Sequence, residues 1–405
     1  MFFAVLREEP PETRVALVPE HIRLMRAQGH AVGVETGAGA GAQYPDAAYV
    51  EAGATVFPDR AALLAQAEVL LTLAVTPATA WPGLRAGMVV IGLLAPLRQP
   101  AVMAALAARG LASFSLDALP RISRAQSMDV LSAMSTVSGY RAVIVAAERV
   151  GRFLPLLMTA AGTIAPARVL VLGAGVAGLQ AVATAHRLGA VVQAFDARPA
   201  VQEQVASLGA TFLTLPTVTA EGTGGYARAV GAEEEAAEQA FLAEPVRQAD
   251  IVITTAMVPG QRAPQLITAA MVAAMHPGAV IMDLAAEAGG NTAVTVPGQV
   301  STHHGVVIDG TTDWPAQMPR PASQLYSRAI GTFVRHLLDQ GLAAGPAPAA
   351  LTLPAASDAI VAATGITREG QVVHAATAAR LPAGAAVPDR GSAGPDPDAG
   401  REIRS

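Results

Sequence analysis

The chain has 405 residues, which is long enough for two domains that each bury a core. All 27 basic residues are Arg, 32 residues are acidic, the formal net charge is −5, and Cys is absent. A chain without Cys excludes disulfides and thiolate catalysis, and a chain without Lys excludes a Schiff base or a phosphate-loop lysine. The negative charge argues against nucleic acid as a partner.

The N-terminal stretch MFFAVLREEPPE turns acidic within ten residues and has neither a basic leader nor a cleavage site. No run of 18 apolar residues is free of Gly, Pro and polar interruptions. We therefore expect a cytoplasmic protein without a secretory signal or a transmembrane helix.

The N-terminal region of the chain alternates between predicted strands and helices. Apolar runs predict strands at 2–6, 31–35, 69–74, 88–93 and 111–113, and helical patterns follow Pro19 and cover 59–67 and 100–109. Such alternation produces a parallel sheet through right-handed crossovers. The sequence therefore predicts one α/β domain in this region.

A glycine-rich motif follows a buried strand predicted at 169–172. It reads Gly173-Ala174-Gly175-Val176-Ala177-Gly178, and it precedes a helix predicted from Leu179 to about Gly189 and a strand at 191–195 that ends on Asp196. In this pattern the first Gly makes a tight turn, the second lets a pyrophosphate approach the backbone, and the third allows close packing of helix and strand. The motif predicts dinucleotide binding, with the helix N-terminus facing the phosphates.

Asp196 lies 18 residues after Gly178, where a carboxylate can accept hydrogen bonds from both ribose hydroxyls of an adenosine. A carboxylate there repels a 2′-phosphate, so NAD(H) is predicted rather than NADP(H). Arg198 is two residues away, and we interpret it as a surface residue that nevertheless bears on this choice.

The second domain is predicted to contain six strands, at 169–172, 191–195, 211–213, 251–254, 279–283 and 306–308. A helix over 128–152 is long enough to bridge the two domains, an acidic helix covers 233–244, and another helix covers 322–338. The Gly-rich insertion 217–228 contains Gly225 and Tyr226 and is either a mobile lid or a passive surface loop. A structured segment is expected at 359–374, and disorder from Leu381 onward.

A polar cluster precedes the bridging helix. It comprises Arg121, Gln126, Asp129 and Ser132. If the helix begins near Ser127, Asp129 and Ser132 share one face, and the cluster could present a substrate to a nicotinamide. The alternative is a helix cap surrounded by surface charges. The eight His residues show no metal-ligand spacing, so no metal site is predicted.

Four stretches resemble the alanine dehydrogenase and nicotinamide-nucleotide transhydrogenase superfamily over about residues 1 to 375. They are RISRAQSMDVLSAMSTVSGYRAV, VLVLGAGVAGLQAVATAHRLGAVVQAFDAR, ITTAMVPGQRAPQLIT and DLAAEAGGN. The resemblance implies two Rossmann-like domains, with the dinucleotide-binding domain (134–314) inserted into an N-terminal domain (1–133 and 315–375), and a disordered tail at 376–405. It also implies a homodimer.

The resemblance assigns roles to the candidate site residues. The polar cluster would position the dihydronicotinamide, and Tyr226 would cover the nucleotide from a mobile loop. The residues implied to bind the cofactor are Gly173, Gly175, Val176, Ala177, Gly178, Asp196, Ala197, Arg198, Gly225, Tyr226, Thr255, Ala256 and Met257.

Alanine dehydrogenases hold and protonate a 2-oxo acid with an Arg, a Lys and a His. Arg14 matches the Arg, but Val75 and Leu93 stand where the Lys and the His would fall, and Glu287 stands at the position of an Asp. An oxo-acid site without its cation and its acid/base cannot work by that mechanism.

The resemblance therefore implies a subunit that passes hydride between NAD(H) and NADP(H), the latter bound by a separate partner component. The partners would be membrane-spanning subunits of the alpha-2 and beta types, with this chain on the cytoplasmic face of the inner membrane. The alternatives are an amino-acid dehydrogenase and an NAD(H)-binding subunit without turnover.

Overall fold

The computed structural model describes residues 1–75, 83–215, 231–257, 261–345 and 351–381. The predicted insertion at 217–228 and the chain beyond 381 lie outside these ranges. Two sheets, each covered by helices on both faces, form the α/β architecture.

The first sheet has eight strands. They are β1 Phe2–Val5, β2 Ala31–Glu35, β3 Thr55–Phe57, β4 Val69–Ala74, β5 Val89–Leu93, β6 Ala112–Ser115, β18 Gly365–Arg368 and β19 Gln371–Val372.

The order of the first sheet is β19-β18-β6-β5-β4-β1-β2-β3. The six N-terminal strands are parallel, and the two C-terminal ones join antiparallel at the edge beside β6. The sequence predicted five of these strands but missed β3, β18 and β19, because strands of two to four residues carry little periodicity.

The second sheet has seven strands. They are β9 Arg168–Leu172, β10 Val191–Phe195, β11 Thr211–Leu213, β12 Ile251–Thr254, β13 Val280–Asp283, β14 Val300–His303 and β15 Val306–Asp309.

The order of the second sheet is β11-β10-β9-β12-β13-β15-β14. Counted from β9, the six parallel strands follow the 3-2-1-4-5-6 order of a dinucleotide-binding fold, and all six were predicted from the sequence. β14 is an additional antiparallel edge strand with an exposed, polar pattern that the sequence pattern did not indicate.

Four further strands form two small hairpins, β7 Leu157–Thr159 with β8 Gly162–Ile164, and β16 Ala343–Ala344 with β17 Leu351–Thr352. The helices described are α1 Pro19–Ala27, α2 Asp46–Glu51, α3 Arg60–Gln66, α4 Pro100–Ala108, α5 Val130–Arg149, α6 Val176–Arg187, α7 Gln202–Ser207, α8 Ala232–Gln248, α9 Ala269–Ala274, α10 Pro319–Asp339, α11 Ala359–Thr364 and α12 Ala375–Ala378. The tail was predicted to be disordered from 376, but α12 extends to Ala378.

Helix α5 links the two sheets, and α10 brings the chain back to the first sheet. Within the described residues, α5 is the one helix long and apolar enough to pass a membrane-span test. Its apolar character has a tertiary explanation, because Val130, Met134 and Val137 lie in the core of the first sheet while Ala142 and Val143 lie in the core of the second. The domain limits 1–133 with 315–375 and 134–314 stay a prediction.

Candidate functional site

The glycine turn, defined here as Gly173–Gly178, follows β9 directly. Gly173 has a φ of 96°, and a Cβ there would lie 2.7 Å from the Thr255 Oγ1 atom. A Cβ on Gly178 would lie 1.8 Å from the Gly173 carbonyl oxygen. At Gly175 a Cβ would meet no described atom within 4 Å. The outer two glycines are therefore required for packing, and Gly175 borders open space that a ligand can approach.

Helix α6 begins at Val176, three residues earlier than the sequence predicted, and Gly175 is its N-cap residue. No described side chain caps this end, so first-turn N–H groups such as those of Ala177 and Gly178 are available to an anion. The arrangement fits a pyrophosphate.

Asp196 follows the last residue of β10, and its side chain is 6% exposed. Its Oδ2 atom accepts a hydrogen bond of 2.7 Å from the Ala174 backbone N–H. The Arg198 guanidinium donates to both carboxylate oxygens, at 2.8 and 2.7 Å, and the Arg198 N–H donates to Oδ1 at 2.9 Å. The carboxylate therefore joins the end of the second strand to the glycine turn.

Arg198 was interpreted as a surface residue, and this is wrong. Its side chain is only 17% exposed and forms an ion pair with Asp196, which raises the pKa of the guanidinium further. A ribose that binds Asp196 must share the carboxylate with Arg198. Ala197, also predicted to contact the cofactor, lies between the two.

We expect Asp196→Ala to weaken NADH binding by about 1–2 kcal/mol, the scale for losing charge-assisted hydrogen bonds. It should also reduce the preference over NADPH, because Arg198 would then be released to accept a 2′-phosphate. Equilibrium titration of both nucleotides measures the effect, with Arg198→Ala as the matched variant. Tighter binding of NADPH than of NADH by the unaltered protein would contradict the prediction.

A second carboxyl group faces Asp196 from α8. Phe241 of this helix packs on Phe195, with ring centroids 5.9 Å apart, and Glu238 lies one turn earlier on the same face. Glu238 is 3% exposed, and no described group donates a hydrogen bond to it. Burial, together with the nearby charges of Glu234, Glu235 and Asp196, raises the pKa of Glu238 to about 7.

Because this pKa is raised on folding, the stability linked to the proton is lost as the pH rises from about 4.5 to about 7. Glu238→Gln keeps the shape without the ionisation, so we expect a Tm several degrees above that of the unaltered protein at pH 8. At pH 5 the two should melt within a degree or two of each other. A constant difference across thermal melts from pH 5 to 8 would show that Glu238 does not titrate in this range.

The loop after β12 carries Thr255, Ala256 and Met257, which were predicted to bind the cofactor. Thr255 Oγ1 donates a hydrogen bond of 2.9 Å to the Gly173 carbonyl, and Met257 is exposed. Asn291 fixes Ala256 from both sides, because its Oδ1 accepts from the Ala256 N–H at 3.1 Å and its Nδ2 donates to the Ala256 carbonyl at 2.8 Å. The loop is therefore held against the glycine turn.

The sequence assigned no role to Asn291 or to the buried Asp283. The Asp283 carboxylate accepts hydrogen bonds from the Asn291 N–H at 2.9 Å and from the Thr254 hydroxyl at 3.0 Å. Both residues belong to the stretch DLAAEAGGN, so the resemblance to that motif was the available signal for them.

The polar cluster lies at the start of α5. A 3₁₀ turn, Ser123–Met128, precedes the helix, and we call it the positioning turn. Asp129 is the N-cap residue, and its carboxylate accepts from the Ser132 N–H at 2.9 Å and from the Ser132 hydroxyl at 2.5 Å. The helix thus begins at Val130 rather than near Ser127, and Asp129 has the capping role that was the alternative interpretation. Gln126 and Arg121 are exposed beside it.

Helix α5 connects this cluster to the glycine turn. A Cβ on Gly139 would lie 2.1 Å from the Ala177 carbonyl oxygen, so the backbones of α5 and α6 are in contact there. Seven residues of helix separate Ser132 from Gly139, which is about 10 Å at 1.5 Å per residue. Gly225 and Tyr226, the remaining predicted residues, lie outside the described residues.

Arg14 stands where an alanine dehydrogenase would bind its oxo acid, but its guanidinium is already engaged. Its Nε atom donates to Glu12 at 2.8 Å, Nη2 donates to Glu12 at 2.5 Å and to Asp313 at 3.0 Å, and Nη1 donates to the Met134 sulfur at 3.3 Å. Two carboxylates therefore neutralise the one cation that the sequence retains.

The neighbouring positions do not restore an oxo-acid site. Val75 is buried among apolar side chains, and Leu93 packs against the core of the first sheet. Glu287 is paired with Arg98 at 3.1 Å. Within the described ranges no group of three His, Asp or Glu residues is arranged to hold a metal ion.

The fold and the glycine turn define a two-domain α/β protein of the dinucleotide-binding oxidoreductase class. The N-terminal domain model of the alanine dehydrogenase/PNT family matches residues 4–138, and the C-terminal domain model matches residues 142–375. The chain belongs to this family.

Relatives extend over nearly the whole chain. The first of the parts into which the NAD(P) transhydrogenase alpha subunit of Rhodospirillum rubrum is divided is 43% identical over 386 residues, which cover 93% of this chain and 98% of the relative. The crystal structure of transhydrogenase from Sinorhizobium meliloti has a TM-score of 0.82 at 41% identity and covers 92% of this chain and 100% of the other. The structure of an L-alanine dehydrogenase has a TM-score of 0.75 at 27% identity, with 93% and 98% covered.

Proposed function

We propose that the chain is the NAD(H)-binding catalytic subunit of a proton-translocating NAD(P) transhydrogenase. In this role it transfers hydride between NAD(H) held in its own site and NADP(H) held by a partner component. The observation that carries the proposal is a nucleotide site next to an Arg14 that two carboxylates have neutralised.

The chain's own residues bind and orient the nucleotide. Gly175 and the first turn of α6 would hold the pyrophosphate, and Asp196 the adenosine ribose. At the other end of α5, Arg121, Gln126, Asp129 and Ser132 would position the nicotinamide, the part of the cofactor that carries hydride when bound. These groups contribute proximity and orientation rather than acid–base chemistry.

A hydride donor needs an acceptor. The Arg14 guanidinium uses its donors on Glu12, Asp313 and Met134, and Val75 and Leu93 supply neither a cation nor a proton. This supports a second nucleotide as the acceptor rather than a 2-oxo acid. The name of the R. rubrum relative, which describes an alpha subunit divided into parts, agrees with an acceptor on another chain.

The proposed partners are subunits of the alpha-2 and beta types in the membrane, with this chain bound at the cytoplasmic face. A homodimer is supported by the hairpin β7–β8, which displays apolar side chains that have no described partner in this chain. Met158 is 73% exposed, and Phe153, Leu156 and Ile164 are also exposed. An apolar hairpin of this kind is suited to packing on a second copy.

The test is reconstitution of the chain with the membrane partner subunits, followed by measurement of hydride exchange between NADH and an NADP analogue of distinct absorbance. Transfer that requires both components supports the proposal. NADH binding without transfer would favour a non-catalytic subunit, and NADH oxidation by the isolated chain with pyruvate and ammonia at ordinary enzyme rates would favour an amino-acid dehydrogenase.

A further inference from the structure

Three elements meet at the carboxylate of Asp358. Its Oδ1 atom accepts hydrogen bonds from the Ile360 and Val361 N–H groups, at 2.8 and 3.0 Å, and thereby caps α11. The same oxygen lies 3.0 Å from Nε2 of His336 on α10. The other oxygen, Oδ2, forms an ion pair of 2.7 Å with Nη1 of Arg124.

The Asp358 side chain is 7% exposed, so its charge depends on these partners. Burial pushes the pKa of Asp358 up, but the hydrogen bonds from His336, the two backbone N–H groups and Arg124 outweigh burial and lower it to about 2. The carboxylate is therefore ionised at neutral pH and available to Arg124 throughout the physiological range.

Arg124 belongs to the positioning turn, two residues before Gln126. This turn has two buried residues, Ala125 and Met128, which pack in the core of the first sheet. Its backbone is short of regular partners, with hydrogen bonds such as that of 2.9 Å from the Ala125 N–H to the Ile122 carbonyl. The ion pair with Asp358 is thus a side-chain attachment of the turn to the rest of the fold.

The segment that carries Asp358 also holds the chain that leads into the turn. β18 pairs antiparallel with β6, and the Thr367 hydroxyl donates a hydrogen bond of 2.8 Å to the Leu111 carbonyl. The Ser113 and Thr367 hydroxyls lie 2.7 Å apart. Residues 358–367 therefore run beside the chain from Leu111 to the positioning turn and attach to it at both ends.

We propose that Asp358 is a positioning residue for hydride transfer, which acts through Arg124 to hold the positioning turn, and with it Gln126, in register with the nicotinamide. The inference rests on the proposed transhydrogenase function. A half-exposed ion pair contributes little to overall stability. A small displacement of a group that orients the reacting atoms, in contrast, costs up to about 100-fold in rate.

Asp358→Asn tests the ion pair without removing the cap. Asn is as good an N-cap residue as Asp, and its Oδ1 can still accept from Ile360, Val361 and His336. The amide nitrogen would replace Oδ2 and face Arg124, where it can only donate. We expect hydride transfer in the reconstituted complex to slow about 5- to 20-fold, with NADH affinity changed less than twofold.

Arg124→Gln removes the same ion pair from the other side and leaves α11 and its cap intact. We expect the same loss of transfer, and the double variant should be no slower than either single variant, since one link is broken in all three. Asp59→Asn is the matched control, because Asp59 caps α3 through the Ala62 N–H, at 3.0 Å, away from the turn.

The outcomes separate the inference from the function it rests on. If the unaltered complex does not transfer hydride, the proposed function fails. If it transfers and both single variants match it, Asp358 is not a positioning residue. If the two losses multiply in the double variant, or accompany an equal loss of NADH affinity, Asp358 does not act through Arg124, and the inference is wrong.

Discussion

Gln126→Asn is expected to slow hydride transfer about 10- to 100-fold while changing NADH affinity less than threefold. The substitution keeps the amide but shortens its reach by one methylene, and orientation of one nicotinamide against another tolerates little displacement. Gln126 is exposed on the positioning turn, directly before the α5 N-terminus, where it can reach a second nucleotide. Phosphate and ribose contacts supply most of the ground-state binding, so affinity should persist.

Stopped-flow transfer with the NADP(H)-binding partner, together with equilibrium NADH titration, measures both quantities. Gln28→Asn is a suitable control, because Gln28 is an exposed residue at the end of α1. Unchanged transfer by Gln126→Asn would leave Gln126 as part of a helix start without a catalytic role. A large loss of NADH affinity would make it a binding residue instead.

The second large effect is expected at the glycine turn, where two alanine substitutions should fail in different ways. Gly175 has a φ of −76° and no described atom within 4 Å of its Cβ position, so Ala fits the fold. The added methyl enters the space where a pyrophosphate would approach, and NADH affinity should fall at least about tenfold with Tm unchanged.

Gly178→Ala would place a Cβ 1.8 Å from the Gly173 carbonyl oxygen, which is backbone and cannot move aside cheaply. Overpacking of this kind costs about 3 kcal/mol, so Tm should fall by about 5–10 °C. Thermal melts and NADH titrations of both variants provide the comparison. A Tm loss in Gly175→Ala, or unaltered NADH binding by it, would contradict the assignment of this turn to the cofactor.

Several elements were predictable because their signals are local. The strand β9, the three glycines and Asp196 form one continuous stretch, and their spacing follows from the strand–turn–helix geometry that the motif requires. Strands of five or six residues such as β2 and β4 were predicted with their observed bounds, since a buried parallel strand reads as a continuous apolar run. The start of α6 was missed by three residues because Val176 and Ala177 are also ordinary loop residues.

The C-terminal segment was harder to place. β18 and β19 have four and two residues, too few for a periodic pattern, and their partner β6 lies more than 200 residues earlier. The pairing depends on Thr367, which reaches a carbonyl 256 residues away. No feature near Thr367 in the sequence indicates this contact.

The sequence by itself determined the nucleotide-binding motif, the preference implied by Asp196, and the loss of an oxo-acid site at Val75 and Leu93. These follow from residue chemistry at fixed local spacing. The tertiary structure alone decided that Arg198 shares the Asp196 carboxylate, that Asn291 holds a loop 35 residues away, and that Asp313 neutralises Arg14 across 299 residues. Hydrogen bonds and ion pairs between distant segments depend on how the two sheets bring those segments together, and local periodicity carries no information about that.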